Sequence, residues 1–158
     1  MKNLKVMIMN AMIACIYAVL TIFVLAPIAY GGIQFRLTEI MIFLAFYEKK
    51  YIPGLVVGCL IANIPSSLGV WDMCFGTFAT LLACLSMSYL KNLYLGAFAG
   101  ALFNGVIVGL ELNLILELPL VLSISEVFIG EFVVLLIGVY VFKWIEKNEA
   151  LMKNIILE

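Results

Sequence analysis

The stretch that decides the fold is residues 37–64, "LTEIMIFLAFYEKKYIPGLVVGCLIANI": two apolar runs separated by Glu48, Lys49 and Lys50. Each run is shorter than the roughly 20 residues that a helix needs to cross a bilayer. Hydropathy alone therefore leaves two readings, a re-entrant hairpin or two crossings. A hairpin would put the three charges at its tip inside the bilayer, at about 2.5–3.5 kcal/mol each. Two crossings put them in water, and the charge placement decides for crossing.

The rest of the chain agrees with this reading. Of its 158 residues, 66% are hydrophobic, far above the roughly 45–50% of ordinary soluble domains. Lipid offers no partner to a backbone amide, so the chain must span as helices or as a closed barrel. The apolar runs lack the alternation of barrel strands, and the class is all-α. The remaining spans are expected at Val6 to Ala26, closed by Pro27, at Met73 to Leu90, at Leu93 to Leu110 and at Ile124 to Trp144. The first is too long for the h-region of a signal peptide and is expected to stay as a helix. Six transmembrane helices then form a single domain over residues 1–158.

With six crossings, both termini and the loops at 48–50 and 91–92 share one side. That side carries Lys2, Lys5, Lys49, Lys50, Lys91, Lys143, Lys147 and Lys153, which is every lysine of the chain. The positive-inside rule makes it cytoplasmic, so both termini are expected in the cytoplasm and the protein in the cell membrane. Opposite lie Arg36, Glu39, Asp72, Glu111, Glu117 and Glu126. Between Glu111 and Ser123, Pro119 and two glutamates within apolar sequence suggest an outer loop folded over the bundle.

Several function classes drop out. A formal net charge of −1 with scattered lysines leaves no basic footprint for nucleic acid. The chain has no histidine, and Cys15, Cys59, Cys74 and Cys84 form no C-x-x-C pair, so neither a zinc site nor a His-based triad is expected. The cysteines read as small fillers of helix interiors. There is no phosphate-binding G-x-x-x-x-G-K-[ST] loop and no nucleophile with its base. The chain is thus not expected to be an enzyme or to hold a cofactor, and energy for active transport must come from a partner or an ion gradient.

Buried polar groups in membrane helices usually mark a pathway, a counter-ion or a ligand site. The set here is Gln34, Arg36, Glu39, Asn63, Asp72, Asn104, Glu111 and Glu131, with Glu126 a weaker member. Arg36, the only arginine, lies three residues from Glu39, and Asn104 lies seven from Glu111, so each pair shares a helix face. Arg36 and Glu39 make either an interfacial ion pair within one helix or part of a ligand site. Glu131 falls roughly 12 Å below the outer end of the last span at helical rise and should face the interior. Glu117 and Glu126 should meet solvent. Tyr30, Phe35, Trp71 and Phe75 gather at the same level, either as an interfacial belt or as a stacking platform. Glycine pairs at 54/58, 96/100 and 105/109 suit close helix packing. On the first helix Asn10, Ala14 and Ala18 form a stripe that could face a separate subunit.

The segments "IYAVLT", "APIAYGGIQFRLTE", "IPGLVVGCLIAN", "WDMCFGTFATLLA", "NGVIVGLEL" and "IGEFVVL", in this order, resemble the QueT family. These are the substrate-binding S components of energy-coupling-factor transporters assigned to queuosine precursors. The resemblance implies a six-helix S component that binds its ligand near the extracellular side and docks on a transmembrane coupling subunit with two ATPase subunits. It puts the polar motif positions on Gln34, Arg36, Glu39, Asn63, Asp72, Asn104, Glu111 and Glu131, and the docking surface on Ala14 and Ala18. A deazaguanine would suit these groups: its adjacent N–H donors match a carboxylate, and its carbonyl matches an amide or arginine. Two other functions fit the composition, a stand-alone transporter using Glu39, Glu111 or Glu131 as proton relays and a scaffold whose polar groups only pack the bundle. An S component for another vitamin-like ligand would share the fold.

Overall fold

The structure is a computed structural model that describes residues 2–24 and 36–156. Gln34, Tyr30, Phe35 and Pro27 lie outside the described residues. Among those described, every regular element is helical. Helix α1 runs Lys2–Val19 and continues as a π-helical turn, Leu20–Val24. Helix α2, Leu37–Tyr47, begins as a 3-10 helix and ends as one α turn. A 3-10 turn, Lys49–Tyr51, leads to α3, Ile52–Ala62, whose first turn holds Pro53, where the missing amide is no loss. Helices α4, Val70–Tyr89, α5, Leu93–Leu116, and α6, Leu120–Glu146, are long, and α7, Glu149–Ile155, is short.

Among the described residues, four helices are long and apolar enough to cross a membrane: Asn3–Val24, Val70–Tyr89, Leu93–Leu116 and Leu120–Glu146. Helix α2 is apolar but shorter, and α3 has 11 residues. Outward-facing residues such as Phe23, Val70, Val121 and Tyr140 are exposed and largely apolar or aromatic. That pattern, hydrophobic outside as well as inside, belongs to a multi-pass helical membrane protein.

The expected outer loop at 111–123 is mostly helix. Leu112, Leu114, Ile115 and Leu116 extend α5 to 24 residues, and the break is confined to Glu117, Leu118 and Pro119. Glu117 closes α5 in the left-handed region, at φ 55°, and Asn113 Nδ2 donates to Leu118 O at 2.7 Å. Pro119 then opens α6. Glu117 and Pro119 mark a tight turn between two long helices, Glu111 lies buried within α5, and the flanking leucines carry the helices up to the turn.

Packing centres on α2, whose Ile42 and Phe43 are fully buried. Lipid is as apolar as a leucine side chain, so these contacts gain from close packing rather than from escape from water. The glycines admit that closeness. A Cβ on Gly138 of α6 would stand 2.6 Å from Phe43, and one on Gly109 of α5 would stand 2.7 Å from Ile124 Cα of α6. On α3, a Cβ at Gly58 would meet Tyr17 Cβ at 2.8 Å and Ala14 Cα at 3.0 Å. Helix α5 thus lies between α4 and α6, α1 lies on α3, and α2 is wedged against α4 and α6.

The lysine-rich end is tied by polar bonds. Asn10 Nδ2 donates to Lys50 O at 2.8 Å, and its Oδ1 accepts from Gly54 N at 2.6 Å. Tyr47 OH donates to Glu146 at 2.9 Å, and Tyr51 OH donates to Ile155 O of α7 at 2.7 Å. Two of the four cysteines depart from the expected role of interior filler: Cys59 and Cys84 are buried, but Cys15 and Cys74 are exposed.

Candidate functional site

At the opposite end, the start of α2, the end of α3, the start of α4, the end of α5 and the first half of α6 bring together six buried polar residues, Arg36, Glu39, Asn63, Asp72, Glu111 and Glu131, and Asn104 of α5 is buried as well. None is more than 5% exposed. Burying so many ionisable groups in a 158-residue chain is expensive unless each is paired, so the partners of each oxygen and nitrogen carry the chemistry.

Arg36 finds its partner on another helix. Its Nη2 lies 3.3 Å from Asp72 Oδ1, and both side chains are buried. The alternative of an ion pair with Glu39 on its own helix is not what forms. Asp72 Oδ2 accepts from Ser66 Oγ, and Asn63 Nδ2 donates to Asp72 O at 3.1 Å, so the start of α4 is held by the end of α3 and the turn beyond it. Gly76, one turn further along α4, makes room: a Cβ there would meet Asn63 Nδ2 at 2.8 Å and Arg36 Nη1 at 3.2 Å.

Glu39 is held from two sides. Tyr17 OH of α1 and Thr80 Oγ1 of α4, the latter at 3.0 Å, both donate to Oε1, while Oε2 has no partner. One turn along, Thr21 Oγ1 and Thr38 Oγ1 lie 2.8 Å apart. The α1–α2 contact thus has two polar rungs, beside the π-helical turn that follows Val19. Cys59 Sγ lies 3.2 Å from Thr80 Oγ1 and accepts from Asn63 Nδ2 at 3.5 Å, extending the chain of polar contacts back to Asp72.

The other glutamates are less satisfied. Glu111 is fully buried and neither oxygen has a hydrogen-bond partner; Glu131 leaves Oε2 without one. Arg36 is in electrostatic reach of Asp72, Tyr17 and Glu131, Glu111 of Asp72 and Arg36, and Glu131 of Glu39 and Arg36. The five charged groups therefore share one region around a single guanidinium. Asn104 is buried but donates its amide to Gly100 O of its own helix at 3.3 Å. Gln34 lies outside the described residues.

Four buried carboxylate oxygens without a partner, on Glu39, Glu111 and Glu131, make this region a strong acceptor of hydrogen bonds. Each unmet group costs about 1–3 kcal/mol, more if charged. A ligand bearing several N–H donors, or a positive charge, would complete it. A carbonyl oxygen on the same ligand would find donors on Arg36, whose fork offers five N–H groups.

Residues that the sequence did not single out hold this arrangement: Tyr17, Ser66, Gly76 and Thr80. Tyr17 and Thr80 read as ordinary members of apolar helices. The available signal was that Thr80 falls eight residues after Asp72 and Gly76 four, all on one face of α4. Glu117 and Glu126 are exposed, as expected. Trp71 is exposed and lies 6.3 Å from the half-buried Phe75, ring centre to ring centre.

Ala14 and Ala18 are largely buried, with Ala14 against Gly58. Asn10 is engaged with α3 and the turn before it. The same two alanines also border an open apolar groove of ≈ 360 Å³, lined as well by Ala11, Cys15, Val19, Ile22, Phe23 and Ile61.

A family model described as QueT transporter matches residues 7–147. A relative from Lactococcus lactis subsp. cremoris (strain MG1363), described as "Queuosine precursor transporter QueT", is 33% identical, over 90% of this chain and 93% of its own length. No solved structure matches the chain. Both matches are to transporters rather than enzymes. With helices that can cross a membrane and a buried polar cluster at one end of them, the chain belongs to the QueT transporter family.

Proposed function

We propose that this chain is the membrane-embedded subunit that binds a queuosine precursor for uptake, a 7-substituted 7-deazaguanine or queuine, without catalysis of its own. The observation that carries the reading is the sealed cluster of Glu39, Glu111 and Glu131 with four carboxylate oxygens lacking partners, beside an Arg36 already paired with Asp72. A deazaguanine presents N–H donors to such acceptors and a carbonyl to the arginine. The related transporter's description names a queuosine precursor, which is the same chemistry. Gln34, Asn63 and Asn104 complete the proposed ligand set.

In this reading residues 1–158 form one domain of six crossings, α1 to α6, with α2 and α3 as the two short ones and both termini in the cytoplasm of a cell whose cytoplasmic membrane holds the protein. The lysines gathered at one end support that orientation. ATP hydrolysis is supplied by two ATPase subunits through a transmembrane coupling subunit, which docks on α1 beside Ala14 and Ala18. Ala14 already touches α3, so the partner would fill the groove chiefly against Ala11 and Cys15.

Isothermal titration of the detergent-solubilised protein with 7-aminomethyl-7-deazaguanine, 7-cyano-7-deazaguanine, queuine and guanine tests the ligand. Tight binding of a 7-substituted base with rejection of guanine is the expected result; no binding by folded protein would mean a different, vitamin-like ligand. Vesicles holding this chain alone test the coupling. Binding without transport is expected, whereas uptake abolished by a protonophore would make the same glutamates proton relays of a stand-alone transporter.

A further inference from the structure

We infer that Glu111 reads the amidine edge of the ligand's base, accepting two N–H donors side by side, while Glu39 and Glu131 each accept one. The inference rests on the proposal that the buried cluster holds a guanine-type base, and it assigns the edges within that site.

A guanine-type ring presents a carbonyl oxygen, a ring N–H and an exocyclic amine in a row. A carboxylate accepts the last two as a fork only if neither of its oxygens is already engaged. Asp72 is not available, because Oδ1 faces Arg36 and Oδ2 accepts from Ser66. Glu39 is not available either, since its Oε1 already accepts from both Tyr17 and Thr80, which leaves Oε2 alone. Glu131 has one oxygen, Oε2, that is both sealed and without a partner. Glu111 alone among these described carboxylates has both oxygens sealed and unpartnered, on a side chain that is fully buried.

The surroundings of Glu111 suit that edge. Arg36 lies in its electrostatic reach and keeps N–H groups beyond the one facing Asp72, so the carbonyl next to the ring N–H can meet the guanidinium while the two donors meet Glu111. The anchored Oε1 of Glu39 fixes the direction of its free Oε2, which suits a single donor such as the pyrrole N–H or an amine on the 7-substituent. Tyr17 and Thr80 are then positioning residues: they set Glu39 to accept one bond and leave the fork to Glu111.

The test compares 7-aminomethyl-7-deazaguanine with its analogue lacking the exocyclic 2-amine, by titration calorimetry on wild type, Glu111→Gln, Glu131→Gln and Glu39→Gln. Wild type should prefer the amine-bearing base roughly 10- to 100-fold, the worth of one hydrogen bond to a charged acceptor. In Glu111→Gln that preference should shrink to less than about 3-fold, because an amide offers one acceptor and turns a donor toward the second N–H. In Glu131→Gln and Glu39→Gln the preference should persist even where overall affinity falls. A preference retained in Glu111→Gln, or lost instead in one of the other two, overturns the assignment. Glu111→Asp, which keeps both acceptor oxygens, should bind more weakly yet retain the preference, and serves if Glu111→Gln does not fold. If wild type binds both compounds equally, the edge assignment alone falls; if it binds neither, the deazaguanine reading falls with it.

Discussion

The two ends of the bundle handle polar groups in opposite ways. At the lysine-rich end the described residues Asn10, Tyr47 and Tyr51 each meet a partner: Asn10 clips the start of α3, Tyr47 meets Glu146, and Tyr51 holds the end of α7. At the other end Arg36 and Asp72 pair, but Glu39, Glu111 and Glu131 leave four buried oxygens unmet. Unmet buried acceptors lower stability, so an end that keeps them is arranged for something other than holding the fold. The first end is built to stay as it is, and the second is built to be completed by a ligand.

Four changes probe that contrast, from the largest expected effect to the smallest. Asp72→Ala removes the partner of a buried guanidinium and should lower stability by about 3–5 kcal/mol, read from thermal unfolding in detergent; a loss under about 1 kcal/mol would mean that Arg36 is already satisfied elsewhere. Gly109→Ala puts a Cβ 2.7 Å from Ile124 Cα and should cost about 1–3 kcal/mol by overpacking, without changing ligand selectivity among folded molecules. Tyr17→Phe removes one donor from Glu39 and should cost about 1–2 kcal/mol while weakening ligand binding, since an Oε1 held by Thr80 alone lets the carboxylate turn. Tyr47→Phe removes a bond at the satisfied, more exposed end and should change stability by less than about 1 kcal/mol, with binding untouched. If Tyr47→Phe disturbed binding as much as Tyr17→Phe, the division between the two ends would fail.

Much of the polar end was legible in the sequence because ionisable residues in apolar helices stand out one by one. Arg36, Glu39, Asp72, Glu111 and Glu131 needed only that test, and all five are buried in one region. Their pairing was not legible. Arg36 and Glu39, three apart, suggested each other, whereas the guanidinium turns to Asp72 on α4 and Glu39 turns to Tyr17 and Thr80. Spacing along a helix reports which residues share a face, not which helix arrives opposite. The loop expected at 111–123 shows a similar limit: two glutamates and a proline looked like a surface excursion, yet the leucines between them carry α5 to Leu116 and only three residues separate it from α6. The stripe of Asn10, Ala14 and Ala18 could face a separate subunit on spacing alone; Asn10 and Ala14 pack against α3, while Ala14 and Ala18 also border the open groove. Small residues invite close approach without saying whose.

The most direct test is thermal unfolding of wild type and Glu111→Gln, each with and without 7-aminomethyl-7-deazaguanine. A ligand that binds only the folded protein adds about 2.7 kcal/mol of stability at a hundred times its Kd. Wild type should show a clear rise in Tm and Glu111→Gln a much smaller one, with a Tm without ligand that equals or exceeds that of wild type because a buried unmet charge has gone. Equal rises in both proteins, or a Glu111→Gln variant much less stable than wild type, would contradict the claim that this end is open for a ligand.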